Sequence, residues 1–287
     1  MRERMIEAND ATVCTEAMGD PGDPPILLVM GMGASMVWWE DGFCRRLADG
    51  RRFVIRYDHR DTGRSRTYKP GHPGYTVSDL VADAAAVLDG YDIAAAHIVG
   101  MSMGGALAQL LALDSPDRVL SLVLMSTSPV VPGERDLPPS DASLGRFLMT
   151  VPVDWADEAS LRDYLVAYWR VLWGAERTFA EAHVRDIVQR DIDRARHPAA
   201  AQNHGRLGDD GDDRHSRRGP LRSITAPALV IHGTADPMFP LGHAEALAAE
   251  IPDARLLALE GAGHCVDPID WEAITNAILE HTDDRVG

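Results

Sequence analysis

Short apolar runs alternate with amphipathic stretches through the first 128 residues. Ile26-Leu-Leu-Val-Met30 is a continuous apolar run ending at glycine, the pattern of a strand buried on both faces. Residues 36–48 carry Trp39, Phe43 and Leu47 at helical spacing and stop at Gly50. Residues 53–57 read as the next strand. Thr76 and Asp79 have capping-box spacing ahead of Leu80, Ala84, Val87 and Leu88, which predicts a helix closed by Gly90. Strand 97–99, helix 104–113 and strand 120–125 follow. Strands alternating with helices in this way predict a mostly parallel sheet with helices on both faces.

The alternation breaks at residues 129–139, which are rich in proline and charge. Leu161, Tyr164, Leu165, Tyr168 and Leu172 then lie at helical spacing, as do Val184, Ile187, Val188 and Ile192. No strand pattern occurs between 129 and 222, so this segment reads as a helical insertion. Its polar end, 197–220, contains Gly208-Asp-Asp-Gly-Asp-Asp213 and is expected to be a loop. The strand–helix pattern resumes at 228–232, with a helix over 241–251, a strand over 255–260 and a last helix over 271–281. The expected organisation is a core of residues 1–128 and 223–287 and a cap of residues 129–222.

Composition narrows the function. Hydrophobic residues make up 45% of the 287, enough for a sizeable core, so disorder is excluded as the main state. The net charge of −16 argues against nucleic acid and anionic membranes as partners. The insertion carries 16 acidic and 14 basic residues, so most of the negative excess belongs to the core, which marks the insertion as a distinct module. Cys14, Cys44 and Cys265 have no spacing that suggests a zinc site or a disulfide framework. The N-terminus lacks an apolar signal core, and every apolar run is far shorter than the ~18 residues that span a bilayer. A cytoplasmic monomer or homodimer is expected.

The chemistry starts at Gly100-Met101-Ser102-Met103-Gly104, which follows an expected strand and opens an expected helix. That is the context of a nucleophile elbow. The turn leaves no room for side chains at the flanking positions, and it lifts the serine hydroxyl to a helix N-terminus, where negative charge is favoured. A serine hydroxyl needs a histidine base, and the base needs an acid to fix its tautomer. Asp236 lies in the turn after strand 228–232, and His264 lies in Gly261-Ala262-Gly263-His264 after strand 255–260. Both are strand carboxyl ends, where open α/β sheets build their sites. Asp267 and Asp270 are rival acids, but they follow the histidine. An oxyanion needs two N–H donors. Met103 is expected to supply one from its backbone, and Met32, in the Gly31-Met32-Gly33 loop, the other.

Further residues are expected around the substrate. Gly31, Trp38 and Trp39 adjoin the oxyanion loop, and Trp169 and Trp173 lie four apart on one helix face. Met30, Met32, Met101 and Met103 gather near the nucleophile and would make an adaptable apolar wall. His197, His204 and His215 are widely spaced loop histidines without a ligand pattern. No metal or cofactor is required by this chemistry.

The core resembles the α/β-hydrolase family, in particular its branch of methylesterases acting on anthracycline-type (aclacinomycin) polyketides. The resemblance rests on Leu27 to Gly31, Trp39, Phe43, the run 45–50, the run 54–65, the elbow 100–104, and the turns holding Asp236 and His264. It spans roughly residues 10–128 and 223–282 and fades in the insertion, which in that family forms a lid. It implies an α/β-hydrolase fold and a triad of Ser102, Asp236 and His264. It also implies that the 58–65 loop is structural. Most such proteins have His-Gly where this chain has Met30-Gly31. Haloalkane dehalogenases and epoxide hydrolases carry aspartate at the position of Ser102, so those activities are disfavoured.

The expected function is therefore hydrolysis of a carboxylic ester of a small hydrophobic molecule, such as a methyl ester of a polyketide-like compound, through an acyl-enzyme. C–C bond hydrolysis, lactone opening and cofactor-free perhydrolysis on the same triad are the alternatives. A non-catalytic ligand-binding protein is the remote one.

Overall fold

The computed structural model describes residues 2–131, 136–207 and 219–283. The acidic run 208–213 and His215 lie outside these residues. The strands are β1 (Arg4–Ala8), β2 (Ala11–Met18), β3 (Pro25–Val29), β4 (Phe53–Tyr57), β5 (Ala96–Met101), β6 (Val119–Met125), β7 (Ala228–Gly233) and β8 (Arg255–Leu259). They form one sheet in the order β1-β2-β4-β3-β5-β6-β7-β8. Strands β3 to β8 pair in parallel, and β2 runs antiparallel to both β1 and β4.

The apolar runs are continuous because successive residues feed two different cores. Leu27, Val29, Ile55 and Ile98 face one side, under α2 (Val77–Gly90) and α3 (Met103–Asp114). Ile26, Leu28, Val54 and Val99 face the other, under α1 (Asp41–Asp49). The capping box of Thr76 and Asp79 is present. One expected helix is corrected. Residues 36–48 do not form a single helix but a 3-10 turn, Met36–Trp38, followed by α1. The break falls at Trp39, whose carbonyl is held by the Arg56 guanidinium instead of continuing the helix.

The β1–β2 hairpin was not expected from the sequence. Its two-residue connection, Asn9-Asp10, has positive φ at both positions (44° and 63°), the turn that matches the twist of paired strands.

Between β6 and β7 lie α4 (Ala142–Thr150), α5 (Glu158–Leu172), α6 (Glu181–Arg194) and a 3-10 stretch, Pro198–Arg206. Helix α4 was not foreseen. The other two match the expected periodicity, and residues 136–207 contain no strand. These helices have their own apolar cluster, which includes Leu161, Trp169, Trp173 and Val188 and reaches Cys265 of the core. They cover the carboxyl ends of the strands. Helices α7 (Gly242–Glu250) and α8 (Trp271–His281) complete the core.

Candidate active site

Ser102 sits between β5 and α3 with φ 53° and ψ −119°. A non-glycine residue held at positive φ costs on the order of 1–3 kcal/mol and persists only where its surroundings over-determine it. Here they do. The Ser102 N–H donates to the Met125 carbonyl at 2.9 Å, and the Ser102 carbonyl accepts the Thr127 hydroxyl at 2.8 Å. A Cβ on Gly100 would lie 2.3 Å from the Gly104 carbonyl oxygen, and one on Gly104 would lie 2.1 Å from that of Val29. Both glycines are therefore required by space.

Asp236 and His264 come together across 28 residues. His264 Nδ1–H donates to Asp236 Oδ2 at 2.7 Å. Asp236 Oδ1 accepts the backbone N–H groups of Met238 (2.8 Å) and Phe239 (2.9 Å). Burial alone would raise the Asp236 pKa, but His264, His232 and the Phe239 N–H outweigh it and hold the carboxyl below its usual range. His232, unremarked in the sequence, flanks the same acid, with Nε2 at 2.6 Å from the Phe239 carbonyl and 3.3 Å from Asp236 Oδ2. The rival acids are engaged elsewhere. Asp270 pairs with Arg177, and Asp267 caps the turn before α8. The His264 N–H is held by the carbonyl of Leu172, at the end of α5, at 2.7 Å.

The loop after β3 passes directly over the serine. A Cβ on Gly31 would lie 3.3 Å from Ser102 Cβ. Met32 and Gly31 line the small chamber that Ser102 and His264 share. Met103 is the first residue of α3, whose opening N–H groups have no partner within the helix. The Met30 carbonyl accepts His59 Nε2–H at 2.9 Å. Asp58 accepts the Met36 and Arg64 N–H groups, each at 2.9 Å, and Arg60 pairs with buried Asp83. The 58–65 segment thus holds itself and the loop above it, although Asp61, Thr62 and Gly63 also border the outer cavity.

Space around Ser102 is unequal. The chamber at Ser102 and His264 holds about 30 Å³ and is walled by Met30, Met32, Met101, Trp169 and Met238. Behind it lies a space of about 20 Å³ walled by Met30, Met101, Trp38, Trp169 and Trp173. Outside lies a cavity of about 280 Å³ lined by Met32, Trp38, Trp155, Tyr164, Tyr168 and Trp169. Trp38, Trp169 and Trp173 therefore border the spaces near the serine. Trp39 does not: it is fully buried in the core against Phe43 and borders none of these cavities. Its neighbour Trp38 takes the cleft because the 3-10 turn sends the two indoles in different directions. The Met103 side chain also packs into the core, and Met238 takes the expected fourth methionine's place in the wall. His204, which has no ligand pattern in the sequence, is buried and bound to the loop at Gly33.

A family model for the alpha/beta hydrolase fold matches residues 24–266. The rhodomycin D methylesterase DnrP of Streptomyces peucetius is 37% identical, and DauP of Streptomyces sp. (strain C5) is 36% identical. Each match covers 98% of both chains. The crystal structure of a hydrolase from Pseudomonas aeruginosa PA01 superposes with a TM-score of 0.72 at 27% identity, over 98% of each chain. The chain belongs to the α/β-hydrolase family. Among the described residues, no helix is long and apolar enough to cross a membrane.

Proposed function

We propose that this carboxylic ester hydrolase cleaves the methyl ester of a bulky hydrophobic acid through an acyl-enzyme on Ser102. The unequal division of space around Ser102 carries the reading. About 20–30 Å³ accommodates one or two water-sized groups, which suits a methoxy group and excludes a butoxy group. The outer cavity of about 280 Å³, with its aromatic walls, suits the acid portion. Two methylesterase relatives of full length support the same assignment.

The Asp236–His264 pair and the chamber that Ser102 shares with His264 support the following roles. With its Nδ1–H held by Asp236, His264 keeps Nε2 unprotonated as the base. Ser102 Oγ attacks the ester carbon while its proton passes to Nε2. The carbonyl oxygen becomes an oxyanion held by the Met32 and Met103 N–H groups. As the intermediate collapses, the bond to the methoxy oxygen breaks and methanol leaves with the proton from His264. Water then attacks the acyl-enzyme by the same route and releases the acid. Residues 129–222 act as the cap that walls the substrate space. The partner is a small hydrophobic ester, and no cofactor enters any step.

A matched set of methyl, ethyl and n-butyl esters of 2-naphthoic acid tests the assignment. Overfilling a small pocket costs about 1–3 kcal/mol, so kcat/KM should fall by roughly 10–200-fold from methyl to butyl. Equal or rising values along the series would overturn the small-alcohol assignment.

A further inference from the structure

Two side chains of the insertion grip the strip of chain that follows Met32, and a third holds the carboxylate that braces it. His204 Nδ1 accepts the Gly33 N–H at 2.9 Å. Arg194 donates to Asp58 Oδ1 at 2.9 Å, and the same oxygen accepts the Met36 N–H. Asp191 accepts the Trp38 indole N–H at 2.8 Å. The loop is thus fastened from the far side of the cleft by residues more than 130 positions away in sequence. His204 is the fastening nearest the nucleophile, because Gly33 adjoins Met32 and the loop crosses Ser102 at Gly31.

His204 is buried, and its second nitrogen, Nε2–H, donates to the Arg60 carbonyl at 2.7 Å. A ring nitrogen that accepts an amide N–H is unprotonated, and one that meets a carbonyl carries the hydrogen. The two contacts therefore select one neutral tautomer. Burial acts the same way, holding the ring's pKa below the usual histidine range. The nearby Asp61 carboxylate is already occupied by the Tyr68 N–H, the Tyr75 hydroxyl and the Asn203 amide.

We propose that His204 is a positioning residue: its neutral ring fixes Gly33 and so aims the Met32 N–H at the developing oxyanion. The insertion then completes the reaction centre as well as covering it. The inference rests on the acyl-transfer reading above. Oxyanion donors act at 2.7–3.1 Å, and removing one costs roughly 10²–10³ in kcat. A displacement of about 1 Å costs on the order of 10².

The test compares His204→Phe, which fills the space without an acceptor, with His204→Asn, which keeps an acceptor near the Nδ1 position. The readouts are kcat and KM for methyl 2-naphthoate, and Ki for an aryl trifluoromethyl ketone, whose serine adduct places an oxyanion in the same hole. The phenylalanine variant should lose roughly 30–300-fold in kcat, with KM changed less than about threefold, and its ketone Ki should rise in proportion. The asparagine variant should recover to within about fivefold of wild type. Partial unfolding lowers apparent kcat but leaves Ki where it was, so the inhibitor separates positioning from packing. Should the phenylalanine variant not fold, His204→Gln, which keeps a donor to Arg60 and withdraws the acceptor from Gly33, makes the same comparison. An unchanged Ki in the Phe or Gln variant would overturn the inference while leaving the acyl-transfer reading intact. Failure of the wild type to hydrolyse any ester would remove that reading, and this inference with it.

Discussion

Trp38 of the core and Trp169 of the helical insertion lie face to face, with ring centroids 3.9 Å apart and planes inclined by 21°. Asp191 fixes the first indole by its N–H. Both indoles border the small space of about 20 Å³ and the large outer cavity, and Trp169 also walls the chamber at Ser102, so the pair stands between the small spaces and the large one. Trp169→Leu should open this wall. The butyl-to-methyl ratio of kcat/KM should rise about tenfold or more, at a stability cost of roughly 2–4 kcal/mol for the lost packing. Ester-series kinetics beside a denaturant titration would check both. An unchanged ratio would show that the wall does not set alcohol size.

Asp236→Asn presents an amide to His264 Nδ1 and favours the wrong tautomer, so kcat should fall by about 10⁴. Asp267→Asn, which alters the rival acid just beyond the base, should leave kcat within about threefold. Because Asp236 is held below the usual carboxylate range, the wild type should not lose its acid at any pH above about 4. Comparing kcat for the two variants decides which aspartate orients the base.

Glycine substitutions should divide sharply. Gly104→Ala would place a Cβ 2.1 Å from the Val29 carbonyl, where only backbone movement could relieve it, so soluble folded protein should be lost or Tm should drop by more than about 10 °C. Gly145 lies in α4, and a methyl group added there would meet nothing within 4 Å, so Gly145→Ala should raise stability by about 0.5–1 kcal/mol. Thermal melts of both variants would show it.

His59 gives the fold a pH dependence. Burial, with nearby His204, pulls its pKa from 6.5 down to about 3. Well above pH 6.5 the ring is neutral whether the chain is folded or unfolded. As pH falls through the window from 6.5 to about 3, the unfolded chain takes up a proton that the folded chain refuses, and stability declines. The slope from this one ring is up to about 1.4 kcal/mol per pH unit. His59→Gln, which can still donate to the Met30 carbonyl, should flatten that decline. Urea unfolding at pH 7.5 and 4.5 would measure the difference, and equal slopes in both proteins would dismiss His59 as a source.

What was legible in the sequence was local. Ser102, Asp236 and His264 each follow an apolar strand run and sit in a turn whose glycines or proline mark the strand end. The chain order of the three then completes the pattern. What was hidden depended on distant contacts or on a single dihedral. Trp38 and Trp39 are adjacent, and periodicity cannot say which indole turns to the cleft when a 3-10 turn ends between them and α1. His204 is one of 11 histidines, and its partner Gly33 is 171 residues away. The β1–β2 hairpin had a readable signal in Asn9-Asp10, but its strands mix Glu and Thr with apolar residues and lack a strong run.

The most direct test is methanol release from methyl 2-naphthoate by the wild type and by Ser102→Ala, with mass spectrometry of the quenched protein. The wild type should turn over, the alanine variant should lose activity on the order of 10⁴–10⁶-fold, and a naphthoyl adduct should form on the peptide containing Ser102. Turnover that survives in Ser102→Ala, or a folded wild type that releases no methanol from any methyl ester, would contradict the proposed reaction.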